Sequence, residues 1–334
     1  MVLELNKSNI ISYLRKRKII AKNDNHKIKS LVGGNVNRLF LVQKKSSAFV
    51  IKQTTPEAVN FPGIEVSEER NKYEVGAIKM IHKLLKQEAK VPQLFFEDTK
   101  NNIFAMSLIP QEAVLYQTEL MEGRFHFNIV SQLAKFTAEL HSKTYKNPQL
   151  RKNFAKNPGY KLREITTTTA FEKYPKLKKQ FEETFNKNYK NRFCFIDADI
   201  TPKNILIHNN TFTKVDFDAC TYGDPAHELG IILAHFLLPA IVNSQWKKEY
   251  LRCAKLFYNA YIKHCAYPIP DKFFMNMKNY LALMMIGRID SIFTFPWLKE
   301  KEHIVRKIAI EIFTRKYKDI DELLKNIALL FPKD

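Results

Sequence analysis

D-A-D-I-T-P-K-N-I-L, from Asp197 to Leu206, and V-D-F-D, from Val215 to Asp218, are the stretches that decide how this chain folds. Short apolar runs at Phe193 to Ile196 and Ile205 to Ile207 flank the first, and a third, Lys214 to Phe217, carries the second. The pattern is strand, polar loop, strand, strand. An aspartate five residues ahead of an asparagine on one loop, with another aspartate at the mouth of a strand, supplies one proton acceptor and two oxygen ligands for a divalent cation. Phosphoryl transfer to a hydroxyl needs that set, with Asp199 as the base and Asn204 and Asp216 as ligands. Asp and Asn are also ordinary loop residues, favoured in Asx turns and helix caps without any chemistry. The ordered succession of strand, acidic loop, strand and D-F-D outweighs that plainer reading.

Upstream, Lys29 to Gln53 reads as three short strands joined by turns, preceded by an amphipathic helix over residues 8 to 20. A helix is expected from Ser67 to Lys86, with Tyr73, Ala77, Ile78, Ile81, Leu84 and Leu85 at helical spacing, and two more strands at Val91 to Phe96 and Asn102 to Leu108. Lys52 ends an apolar strand in V-I-K-Q, and Glu74 lies about two turns into the helix, so the two can pair and hold the lysine against phosphate oxygens. The turn V-G-G-N-V-N, with Gly33, Gly34 and Asn35, offers backbone amides to phosphates, or is a simple hairpin turn. Neither a G-x-x-x-x-G-K-[ST] loop nor a G-x-G-x-x-G fingerprint is present.

Downstream of Ile109-Pro110 the periodicity turns mostly helical: Phe127 to Ser142, Phe171 to Tyr189, Leu229 to Leu238, Lys247 to His264, Lys272 to Met285 and His303 to Leu330, with a polar segment from Lys143 to Thr169 before the second of these stretches. The expected organisation is therefore an α+β chain of two lobes, residues 1–109 for the nucleotide and 110–334 for catalysis and substrate.

The order and spacing resemble the aminoglycoside phosphotransferase and choline kinase superfamily of protein-kinase-like small-molecule kinases. Its catalytic loop usually reads H-G-D-x-x-x-x-N, and its metal motif precedes Y-G-D-P, which stands here at Tyr222 to Pro225. The resemblance covers about residues 28 to 300; G-G-N-V-N, I-K-Q and E-R-N-K-Y-E are similar to methylthioribose kinase and related bacterial phosphotransferases. It implies a two-lobe protein-kinase-like fold and the use of ATP and Mg²⁺. By it Asp199 is the base, Asn204 and Asp216 are the Mg²⁺ ligands, Lys52 and Glu74 form the phosphate clamp, and Met106, Ser107 and Leu108 form the adenine hinge. One departure stands out: the usual His-Gly before the base is Asp197-Ala198 here. A pseudokinase that binds nucleotide without transferring phosphate is the competing reading.

Asp218 and Arg288 are weaker candidates for the acceptor site, Asp218 behind the metal or simply ending a strand, and Arg288 toward an anionic or hydroxyl-rich substrate or in a plain salt bridge. Asp224, Glu228 and His141 fit helix-end roles. The 334 residues carry 54 Lys+Arg against 34 Asp+Glu, a net charge of +20, but the lysines are scattered rather than gathered into a tail, so no nucleic-acid partner is expected. Four cysteines without CxxC spacing argue against a zinc site or disulfide framework and for a reducing cytoplasm. Leu229 to Val242, the most apolar stretch, is too short to span a bilayer, so no membrane partner is expected; the partner is a small-molecule hydroxyl acceptor.

Overall fold

The computed structural model describes residues 3–31, 36–44, 47–57 and 65–332, which divide into two compact units at Gln111/Glu112. The first contains α1 (Ile10–Lys16), β1 (Lys27–Ser30), β2 (Asn37–Lys44), β3 (Ser47–Thr54), α2 (Arg70–Leu85), β4 (Leu94–Asp98) and β5 (Ile103–Ser107). Its strands form one antiparallel five-stranded sheet in the order β1-β2-β3-β5-β4. The central strand β3 is buried from Val50 to Thr54 because both faces are covered. On one face Ile51 joins Leu5, Ile10, Leu14, Phe40, Val42 and Ala105 in a core built around α1. Successive side chains of a strand alternate, so Lys52 points to the opposite face, where α2 packs. The expected helix start at Ser67 lies three residues early: α2 begins at Arg70, whose buried guanidinium bonds Asn37 Oδ1 at 2.8 Å and the Thr55 carbonyl at 3.1 Å.

The second unit is mostly helical. It contains β6 (Val114–Leu115), α3 (Tyr116–Met121), α4 (Phe127–Thr144), α5 (Pro148–Phe154), α6 (Tyr160–Thr168), α7 (Lys178–Lys190), β7 (Cys194–Ile196), β8 (Ile205–His208), β9 (Thr211–Lys214), β10 (Thr221–Gly223), α8 (Pro225–Val242), α9 (Lys247–His264), α10 (Phe273–Asp290), α11 (Glu302–Thr314) and α12 (Ile320–Ala328). Two small antiparallel sheets, β10-β7 and β6-β8-β9, lie among the helices. The helix α8 is long and apolar enough to cross a membrane, but 89% of that stretch is buried inside the fold. It lies close against α10, and Gly230 permits the approach: a Cβ there would come within 2.7 Å of the Leu281 amide nitrogen.

Three segments differ from the sequence expectation. Residues 143–169 hold α5 and α6, the first capped by Asn147, whose side chain accepts from the Leu150 amide with Pro148 at the first helical position. The polar composition of this segment reflects outward faces rather than a loop. The third apolar run of the central region is not a strand through Phe217: β9 ends at Lys214, and Asp216 takes a left-handed φ of 67°. His303 to Leu330 is two helices, the second capped by Asp319, whose side chain accepts from the Glu322 amide.

Candidate active site

The central region of the second unit is organised by two sharp turns and one buried lysine. β7 ends at Ile196, the Asp197 amide donates to Glu228 Oε2 at 2.8 Å, and Ala198 adopts a left-handed φ of 59°. The chain thereby turns Asp199 into a buried position, 1% exposed. Its Oδ2 forms an ion pair with Arg163 of α6, accepts from Asn204 Nδ2 at 2.8 Å and lies 3.4 Å from Lys203 Nζ. Burial works to raise the Asp199 pKa, but Arg163, then Lys203 and Lys214, hold it below the ordinary carboxylate value. Asp199 is therefore ionised at neutral pH.

Asn204 also donates to the Asp199 carbonyl at 3.1 Å, and its own carbonyl accepts from the Val215 amide at 2.9 Å. That backbone bond sets the 197–206 loop beside the D-F-D segment. Lys214, 1% exposed, completes the junction: its Nζ lies 2.8 Å from Asp197 Oδ2 and donates to the carbonyls of Val215 at 2.7 Å and Asp216 at 3.0 Å. Its ammonium also sits 4.4 Å from the centre of the Phe217 ring. Burial pushes the Asp197 carboxyl well above its ordinary pKa, with Lys214 opposing and Glu228 adding to the rise.

Among the described residues no three His, Cys, Asp or Glu side chains gather as a metal cluster. The donor set of Asn204 and Asp216 nevertheless suits Mg²⁺, which takes hard oxygen ligands, keeps several waters and shares substrate phosphates. The Asn204 amide hydrogens are committed to Asp199, which leaves Oδ1 as its ligand atom.

Asp218 is buried at 8% exposure, and its carbonyl accepts from Asn157 Nδ2 at 2.8 Å. Asp224 caps α8 by accepting from the Ala226 amide, and burial pushes its pKa up to about 6. Glu228 and His141 belong to a buried chain, His141 Nε2 lying 3.3 Å from Glu228 Oε2 and Nδ1 2.8 Å from the Tyr261 hydroxyl. Arg163 and Lys214 went unnoticed in the sequence. Arg163 falls in the polar segment to which the sequence pattern assigns no helix, and nothing distinguishes Lys214 among 54 basic residues except its place immediately before V-D-F-D.

In the first unit, Lys52 Nζ lies 2.8 Å from Glu74 Oε1 and 2.7 Å from Oε2, both side chains almost fully buried. Met106 and Ser107 end β5, Leu108 follows, and the Ser107 amide donates to the Gln93 carbonyl at 2.8 Å. Gly33, Gly34 and Asn35 lie outside the described residues.

A family model described as "Phosphotransferase enzyme family" matches residues 27–255, more than half of the chain. No match was found among curated proteins. The fold is similar to that of spectinomycin phosphotransferase APH(9)-Ia, solved with ADP and spectinomycin, at 17% identity and a TM-score of 0.53 over 99% of this chain and 96% of that one. It is also similar to choline kinase from Cryptosporidium parvum, at 14% identity and a TM-score of 0.55 over 97% and 99% of the two chains. A third likeness is to Plasmodium vivax ethanolamine kinase, at 12% identity and a TM-score of 0.53 over 96% and 86%.

Proposed function

Because the chain belongs to the phosphotransferase enzyme family, whose acceptors are hydroxyl groups, we propose that it is a small-molecule kinase using ATP and Mg²⁺. The γ-phosphoryl group passes to a hydroxyl of a small polar acceptor: a sugar, an amino sugar or an amino alcohol. The observation that carries this reading is Asp199, ionised, buried and fixed from both sides by Arg163 and Asn204, beside the segment that holds Asp216.

In this reading the acceptor oxygen bonds to the γ-phosphorus as the bridging bond to the β-phosphate breaks, and ADP leaves with the electron pair. Asp199 orients the hydroxyl and receives its proton late, as its lowered pKa requires. Asn204 and Asp216 would hold Mg²⁺, which neutralises charge developing on the phosphates. Lys52, steadied by Glu74, adds a positive charge to the phosphates, and the backbone at Met106 to Leu108 receives the adenine. Four unbridged thiols, at Cys194, Cys220, Cys253 and Cys265, fit an enzyme of the cytoplasm.

The test is a coupled ADP-release assay of the wild type and Asp199→Asn. The acceptor panel is methylthioribose, spectinomycin and other aminoglycoside-type antibiotics, choline, ethanolamine, homoserine and simple sugars. One acceptor that stimulates only the wild type supports the reading and identifies the substrate class. Nucleotide binding without turnover across the panel favours the pseudokinase, and no nucleotide binding rejects the kinase.

A further inference from the structure

Arg288, in the last turn of α10, is a buried cation with no ion-pair partner among the described residues. It is 7% exposed, its Nε is buried without a hydrogen-bond partner, and no ion pair or hydrogen bond reaches its guanidinium among the described residues. The partner that the sequence offers, Asp290 two residues on, is taken elsewhere. Its carboxylate accepts from the Tyr174 hydroxyl at 2.5 Å and from Arg306 at 2.8 Å, and pairs with Lys173 at 3.0 Å. The Arg288 head group stacks, its guanidinium carbon 5.1 Å from the centre of the Phe295 ring. Burial, followed by the positive charge of Arg163, brings its pKa down to about 10, with Asp199 opposing. A charge left unpaired inside a fold costs stability that packing does not return, which makes the position a candidate for function.

Its surroundings show where a ligand would lie. Phe295 lines an apolar pocket together with Trp297, Leu238, His235 and Pro202. Pro202 belongs to the 197–206 loop, three residues after Asp199. His235 is kept neutral to about pH 3 by burial and by the Arg288 charge, so it adds no second cation. The nearby carboxylate Asp199 is engaged by Arg163, Lys203 and Asn204. The pocket thus has apolar walls, and two of its lining residues lead to the charged groups: Phe295 stacks with the Arg288 guanidinium, and Pro202 follows Asp199 on the same loop.

We propose that Arg288 binds an anionic group of the acceptor, a carboxylate or a phosphate ester, so that the molecule phosphorylated here is a negatively charged alcohol. This rests on the phosphotransferase reading above and narrows its acceptor class. The guanidinium fork matches such oxygens in a bidentate manner, and the ligand supplies the counter-charge that the chain withholds.

Inorganic sulfate is the first probe. Melting temperatures of wild type, Arg288→Met and Arg288→Lys are compared in sodium sulfate and in sodium chloride of equal ionic strength, with a non-hydrolysable ATP analogue and Mg²⁺ saturating. Sulfate is expected to raise the wild-type midpoint, to leave Arg288→Met unmoved and to act partly on Arg288→Lys. A response that is absent, or unchanged in Arg288→Met, overturns the proposal. So does a response seen with ADP and lost with the analogue, since Arg288 then serves the transferred phosphoryl group.

The second arm measures ADP release with matched acceptors: glycerate and glycerol, homoserine and 2-aminobutane-1,4-diol, ribose 5-phosphate and ribose. The member that carries the carboxylate or phosphate preferred over its partner without one, with KM raised about tenfold or more by Arg288→Met and the KM for ATP unchanged, supports the proposal. Preference for the member without that group overturns it. If no member is turned over, the sulfate response alone decides. If the analogue does not bind, the phosphotransferase reading fails, and the sulfate response of the nucleotide-free protein still decides whether Arg288 is an anion site.

Discussion

Lys214 Nζ lies 2.8 Å from Asp197 Oδ2, and the pair is buried on both sides, at 1% and 4% side-chain exposure. Because the same ammonium donates to the carbonyls of Val215 and Asp216, it ties the residue two before the base to the backbone of a metal-ligand candidate. The ion pair thus joins the 197–206 loop to the D-F-D segment from inside the fold. Lys214 is in this view a positioning residue, acting through Asp216 rather than on substrate.

Lys214→Met is expected to cost about 3–5 kcal/mol of stability, because it leaves the Asp197 carboxyl buried without its partner. Combining it with Asp197→Leu should recover much of that loss while turnover stays low. Denaturant unfolding of the two single variants and the double variant, with kcat and KM for each, checks this. Recovery of kcat in the double variant would show that the pair only stabilises the fold.

Asp199, Asn204 and Asp216 were legible in the sequence as candidates because phosphoryl transfer demands those residue types at a fixed local spacing. The sequence also disclosed the five-strand order of elements, since alternation and helical periodicity change visibly between Lys52 and Glu74. Arg163 and Lys214 stayed hidden for a different reason. Their partners, Asp199 and Asp197, lie 36 and 17 residues away, and burial of a basic side chain is a property of tertiary packing. Arg288 was legible as a candidate, but its lack of an ion pair was not, since that depends on Asp290 being taken by Tyr174, Lys173 and Arg306.

Lys52 and Glu74 make a second buried pair, 2.7 Å apart at closest approach. Lys52→Met should weaken ADP binding by roughly 10- to 100-fold, the worth of one or two charge-assisted hydrogen bonds. Glu74→Gln should weaken it less, since the lysine charge remains although its direction is no longer fixed. Titration calorimetry with ADP and Mg²⁺ measures both, and equal affinities in wild type and Lys52→Met would remove Lys52 from the nucleotide site.

Gly230 lets α8 approach α10, and α8 carries Glu228, which fixes the Asp197 amide. A methyl group at position 230 meets Leu281 and Tyr280 backbone, which cannot swing aside as a side-chain end can. Gly230→Ala is expected to lose about 1–3 kcal/mol of stability and to lower kcat, because the two helices must separate. Gly230→Ala melting at the wild-type temperature would show that α8 and α10 accommodate the methyl group freely.

The acid limb of stability should depend on His227. This histidine is 1% exposed, packed against the rings of Tyr160, Phe185 and Tyr280, and burial brings its pKa down from 6.5 to about 3. Between those two values the unfolded chain binds a proton that the folded chain refuses. Stability therefore rises with pH through that window, is complete above about pH 6.5, and is lost as pH falls toward 3. Asp224, at the start of the same helix, works in the other direction with a folded pKa of about 6, so the comparison must be between variants rather than with zero slope. His227→Phe keeps the ring packing and removes the titration, and should reduce the slope of unfolding free energy by about 1.4 kcal/mol per pH unit between pH 4 and 6. Urea unfolding of both proteins across that range reads the difference, and parallel curves would mean that His227 is already protonated in the folded protein.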